Sequence, residues 1–142
     1  MRHRLLLVVV AVALGAAACS KSTGSGGSSS PTGTPTSRPS STAQLTLVSP
    51  TNGEVIHGTS ISVKVKLMGA TIVPATSANV VPDQGHLHVY LDNQLAAMNF
   101  QLDGAIPNVS AGVHILRVEF VATDHAPFDP RVIVQVTFQV QP

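Results

Sequence analysis

Between residues 44 and 142 the chain alternates apolar and polar positions in short runs, the period-two signature of strands with one buried face. Gln44-Leu45-Thr46-Leu47-Val48 alternates and stops at Ser49-Pro50, ahead of the turn signal Thr51-Asn52-Gly53. Glu54-Val55-Ile56 reads as a short continuation. Ile61, Val63, Val65 and Leu67 then alternate strictly with Ser62, Lys64 and Lys66. Residues 68–84 read as loop, punctuated by Gly69, Pro74 and Pro82, with 78–81 briefly extended. The clearest strand follows, Gly85-His86-Leu87-His88-Val89-Tyr90-Leu91-Asp92. Leu87, Val89 and Leu91 form its core face, and His86, His88 and Tyr90 form a solvent-facing or ligand-facing stripe. Asp92-Asn93 predicts a tight turn with residues 94–100 as the returning arm of a hairpin. Residues 102–106 make another short strand, and Pro107 to Gly112 is turn chemistry. From Val113 onward His114, Leu116, Val118 and Phe120 alternate against Ile115, Arg117, Glu119 and Val121. Residues 124–130 read as a loop stiffened by Pro127 and Pro130. The last strand turns Val132, Val134, Val136, Phe138 and Val140 inward. No segment keeps a helical apolar period over ten residues.

About seven short strands with regularly spaced turns in 99 residues predict an all-β fold, an antiparallel immunoglobulin-like β-sandwich. Two pieces, Leu47-Val48-Ser49-Pro50…Asn52-Gly53 and Gly112-Val113-His114-Ile115-Leu116-Arg117-Val118, resemble bacterial immunoglobulin-like modules as a class. The paired cysteines and core Trp of antibody domains are absent. Such a likeness supports a fold and implies no activity.

The start of the chain has a different texture. Met1-Arg2-His3-Arg4 is a short basic end, and the 14 residues from Leu5 to Ala18 are apolar, a secretory-signal pattern too short for the ~20 residues that span a bilayer. Leu14-Gly15-Ala16-Ala17-Ala18-Cys19 resembles a bacterial lipobox. That resemblance implies a signal peptide over residues 1–18 and a lipidated Cys19, carrying diacylglyceryl and palmitate, as the first residue of the mature protein. The lipid bilayer is then a partner through Cys19, and the chain is held at the extracytoplasmic face of the cell membrane. Cys19 is the only cysteine, so the folded part has no internal disulfide, Cys-based metal site or thiol nucleophile.

Residues 19–43 are dominated by Ser, Thr, Gly and Pro, with Lys21 and Arg38 the only charges, and read as a disordered linker. As a flexible chain it spans about 25–30 Å. Residues 44–142 form one domain. Removing residues 1–18 takes Arg2 and Arg4 from the eight Lys and Arg, leaving six against seven Asp and Glu, a net charge of −1. This balance leaves no electrostatic footprint for nucleic acid.

Candidate chemistry resides in the histidines. If the 85–92 strand takes the C position of the sandwich and the 113–123 strand the F position, the two are antiparallel neighbours. The start of one then lies beside the end of the other. This brings His86 and His88 near the loop of Asp124, His125 and Asp129, with Asp83 just upstream. Two imidazoles at i and i+2 reach one metal at ~2.0–2.1 Å when a third ligand arrives from elsewhere. His125 is that third ligand, and Asp83 or Asp124 a fourth ligand or an orienter, for copper or zinc. His114 falls at the opposite end and is expected to be structural, and His57 is expected at the surface.

The segment Ala122-Thr123-Asp124-His125-Ala126-Pro127, followed by a strand ending Thr137-Phe138-Gln139-Val140, resembles the C-terminal part of small periplasmic copper-carrier β-sandwich proteins. The likeness implies copper binding at His125 and a role for Asp124. Gly85-His86-Leu87-His88, Gly112-Val113-His114 and Asp124-His125…Asp129-Pro130 together are similar to an uncharacterised family of short exported bacterial domains. That second resemblance implies no known activity. No hydrolase nucleophile motif, phosphate-binding Gly loop or metalloprotease helix motif is present, so catalysis is not expected. The leading expectation is a non-catalytic, membrane-anchored binding or accessory module, with an envelope protein as a candidate partner. The alternative is a copper or zinc carrier or sensor using His86, His88 and His125.

Overall fold

The computed structural model describes residues 37–142 except residue 75. The expected signal peptide, Cys19 and most of the expected linker lie outside the described residues. Among the described residues there are nine strands and no helix. They are β1 (Gln44–Ser49), β2 (Val55–His57), β3 (Ile61–Met68), β4 (Thr71–Ile72), β5 (Gln84–Leu91), β6 (Gln94–Asn99), β7 (Asp103–Ile106), β8 (Gly112–Ala122) and β9 (Pro127–Gln141). One sheet has the order β1-β3-β7. The other has the order β2-β9-β8-β5-β4, with β6 also paired to β5.

The alternation read from the sequence explains how the sheets face each other. On β3, Ile61, Val63 and Val65 are buried and Ser62, Lys64 and Lys66 exposed. Leu87 and Val89 of β5, Leu116, Val118 and Phe120 of β8, and Phe138 and Val140 of β9 complete the apolar core from the second sheet. Desolvating each such side chain contributes roughly 1.5–3 kcal/mol. The expected antiparallel pairing of β5 with β8 is present, with Gly85 opposite Ala122 and Leu91 opposite Leu116. The Asp92-Asn93 turn also holds. Both residues have positive φ, 50° and 67°, which a two-residue turn of matching twist requires.

Three expectations are corrected. First, the stripe carrying His86 and His88 is not wet. Both side chains are buried, and so are Glu119 and Val121, which face them from β8. This end of the second sheet is covered on both faces, because the chain folds its own loops over it. Second, β9 begins at Pro127, within the expected loop. Its pairing jumps from Phe120↔Val132 to Val121↔Pro127, so residues 128–131 bulge out of register. The bulge turns Phe128 inward to stack on Phe120, ring centroids 5.5 Å apart. Third, the ordered domain starts before Gln44. Residues 38–43 lie along it, with Pro39 O accepting from the Asp129 amide at 3.0 Å and Ala43 packed on the core.

Candidate metal centre

The site is built from two pieces of chain. His86 and His88 share a face of β5 because a strand returns to the same face every second residue. Their strand starts tight against β8. A Cβ placed on Gly85 would lie 1.8 Å from Val121 O, so only glycine allows this approach. His125 comes from the turn between β8 and β9. That turn is closed by His125 N donating to Ala122 O at 3.0 Å and Ala122 N donating to Ala126 O at 3.1 Å. His125 itself has φ 64°, a left-handed conformation that turns the chain back and brings its imidazole to β5.

The three rings meet through one nitrogen each. His86 Nε2 lies 3.2 Å from His88 Nε2 and 3.0 Å from His125 Nδ1, and His88 Nε2 lies 3.3 Å from His125 Nδ1. Each ring nitrogen directs either one N–H or one lone pair into the middle of this triangle. A hydrogen bond along an edge needs one of each. No distribution of protons supplies all three edges, because at least two of the three nitrogens must be alike. A cation at the centre removes the conflict by accepting three lone pairs. Bonds of about 2.0–2.1 Å to a tetrahedral ion place ligand nitrogens about 3.3–3.4 Å apart, close to the spacing found here.

The surroundings favour the neutral form of His86 and His88 and hold the rings in orientation. Burial, and then the charges of His125 and His88, push His86 down to about 4. Burial and His125 also lower His88, against an opposing pull from Glu119. Neutral imidazole is the metal-ligating form. His88 Nδ1 is 3.3 Å from Tyr90 Oη, and His125 Nε2 is 3.1 Å from Thr76 Oγ1. These contacts engage the far nitrogens and leave the inward ones for a ligand role. Arg117 caps the Tyr90 ring at 4.0 Å, and Phe100 closes on His86 with ring centroids 5.1 Å apart. His86 Nδ1 is buried without a protein partner.

The structure thus brings together the three histidines expected from the sequence, but engages the two auxiliary carboxylates elsewhere. Asp83 Oδ1 accepts from Ser41 Oγ at 2.7 Å and from the Thr42 amide at 2.6 Å, which lowers its pKa. Asp124 accepts a two-pronged bond from Arg38, at 2.5 and 2.9 Å, with the same effect. Neither belongs to the converging group. His114 is structural, as expected. Its Nδ1 meets Asp92 Oδ2 at 2.7 Å and its Nε2 donates to Ser110 O at 2.9 Å. His57 is exposed.

Thr76, Phe100 and Arg38 were not identified from the sequence. The register contains a signal for Phe100, since Leu87↔Asn99 places it beside His86. Thr76 has no such signal, and Arg38 stood out only as one of two charges in the linker.

No protein-family model and no curated protein matches the sequence. Among solved structures, the fibronectin(III)-like modules of Clostridium thermocellum CbhA align with a TM-score of 0.51 at 18% identity. The alignment covers 68% of this chain and 94% of that one. The PKD domain of human KIAA0319 aligns with a TM-score of 0.42 at 16% identity, over 84% of this chain and 93% of that one. The fold is an immunoglobulin-like β-sandwich. At these identities the likeness concerns the fold alone.

Proposed function

We propose that the chain is an extracytoplasmic lipoprotein whose immunoglobulin-like domain binds one copper or zinc ion through His86, His88 and His125. In this reading it is a non-catalytic carrier or sensor. The observation that carries it is the mutual approach of three imidazole nitrogens to 3.0–3.3 Å, an arrangement that neutral rings cannot satisfy among themselves. Imidazole suits both zinc and copper, and three neutral ligands leave a fourth position for water or for a donor group of a partner. A site of this kind can pass its ion to an envelope protein by ligand exchange.

The burial of His86 and His88 counts against the other form of the binding-module reading, in which their stripe is itself a protein contact surface. The lipobox-like segment ending at Cys19 supports anchoring at the membrane and a location outside the cytoplasm.

The test is calorimetric titration of zinc(II) and copper(II) into the purified full-length chain in detergent, beside the His86→Ala/His88→Ala double variant. One-to-one binding, with a dissociation constant of about 1 μM or tighter, that the double variant loses is the expected result. Binding that the variant retains contradicts the assignment.

A further inference from the structure

We propose that residues 38–43 act as a strap that positions the metal site, so that strap docking and metal occupancy stabilise each other. This rests on the metal reading above. The strap bonds separately to both pieces of chain that carry ligands. At one end Arg38 makes four hydrogen bonds. Nη1 donates to Asp124 Oδ2 at 2.5 Å, Nη2 to Asp124 Oδ1 at 2.9 Å and to Ala126 O at 3.1 Å, and Nε to Pro127 O at 2.9 Å. Every acceptor lies on residues 124–127, and His125 sits among them.

At the other end, Ser41 Oγ and the Thr42 amide both donate to Asp83, three residues before His86 and at a position with φ 60°. Thr42 Oγ1 also donates to Gly69 O at 3.0 Å. A Cβ on Gly69 would lie 2.7 Å from Thr42 O, so the strap is seated closely there.

These contacts differ from an ordinary surface ion pair, which contributes little because both partners are solvated and mobile. The Arg38 and Asp124 side chains are only 31% and 24% exposed, and the guanidinium fork is matched to the carboxylate. The strap therefore fixes the β8–β9 turn and the lead-in to β5 relative to one another. A metal held by His86, His88 and His125 ties together the same two pieces. When two events favour one arrangement of the chain, each strengthens the other by the same factor. Arg38 is a positioning residue: it touches no ligand nitrogen and acts through the turn that carries His125.

The test uses the full-length chain in detergent with zinc(II) or copper(II) salts as probes, and compares the parent, Arg38→Ala and Arg38→Lys. Arg38→Ala is expected to weaken metal affinity about tenfold or more, the usual effect of losing a residue that orients a metal ligand. Arg38→Lys, which keeps the charge and loses the fork, is expected to recover only part of the loss. Hydrogen exchange supplies a readout that a merely structural role would not move. Metal should slow amide exchange in residues 38–43 of the parent and not of Arg38→Ala.

If the parent binds and Arg38→Ala binds equally well, the linkage is wrong and the metal site stands. If the parent binds neither ion, both fall. Should Arg38→Ala fail to fold, Ser41→Ala probes the other end of the strap by removing one hydroxyl. A two- to fivefold loss of affinity supports the strap, and unchanged affinity overturns it.

Discussion

Gly85 passes so close to Val121 that a single added methyl group would overlap the Val121 carbonyl oxygen, at 1.8 Å. The contact sets where β5 meets β8, one residue before the first histidine of the cluster. Gly85→Ala is expected to destabilise the domain by about 1–3 kcal/mol, the usual range for overpacking a tight site. It should also abolish metal binding by shifting His86. Chemical denaturation and metal titration of the variant check both. An alanine that leaves stability and binding unchanged would show that β5 sits farther from β8.

Asp92 and His114 hold the opposite end of the same two strands. The pairing raises the pKa of His114, chiefly through its hydrogen bond to Asp92, and hydrogen bonds from Ile115 N and His114 outweigh the burial that opposes them to lower that of Asp92. A raised histidine contributes stability that is fully present below its unfolded value and is lost as pH rises through the folded one. A lowered carboxylate contributes stability that is present above its unfolded value and is lost as pH falls through the folded one. The pair therefore acts between the ordinary carboxylate range and the ordinary histidine range. Asp92→Asn should cost about 1 kcal/mol at pH 5–6, given that Asp92 is half-exposed, and less above pH 8. Urea unfolding at the two pH values checks this, and an equal cost at both would contradict it.

Glu119 faces His88 across the β5–β8 ladder and is 1% exposed, and its charge is matched by the fork of Arg131, at 2.5 and 2.7 Å. Arg131→Ala leaves a carboxylate buried without its partner. The expected cost is about 2–3 kcal/mol, below the full penalty for a buried pair because Arg131 is itself 49% exposed. Glu119→Gln in the Arg131→Ala background should restore part of that loss. A double-mutant cycle in denaturant measures it, and strictly additive costs would rule out the coupling.

Local pattern carried much of this site. The shared face of His86 and His88 follows from strand periodicity, and the approach of His125 follows from placing two strands antiparallel. What the sequence did not disclose depends on contacts between distant segments. His86 and His88 lie on what looks like an outer face, and they are covered by the turn carrying His125, which Thr76 contacts in turn, and by Phe100 beside His86. Asp83 and Asp124 have the chemistry of ligands and the right neighbourhood. They are drawn away by Ser41, Thr42 and Arg38, residues of a stretch whose composition reads as linker. Phe128 sits between two prolines in a loop-like run, and its inward turn depends on a register jump that no local pattern encodes.

The most direct measurement is side-chain nitrogen NMR of the labelled protein during zinc titration, because it reports which nitrogen of each ring takes the metal. The expected result is binding at Nε2 of His86 and His88 and at Nδ1 of His125, saturating at one ion per chain, with His57 and His114 unchanged. Zinc-induced shifts confined to His57 or His114, or no saturating shift at the three clustered rings, would contradict a metal centre at this end of the sandwich.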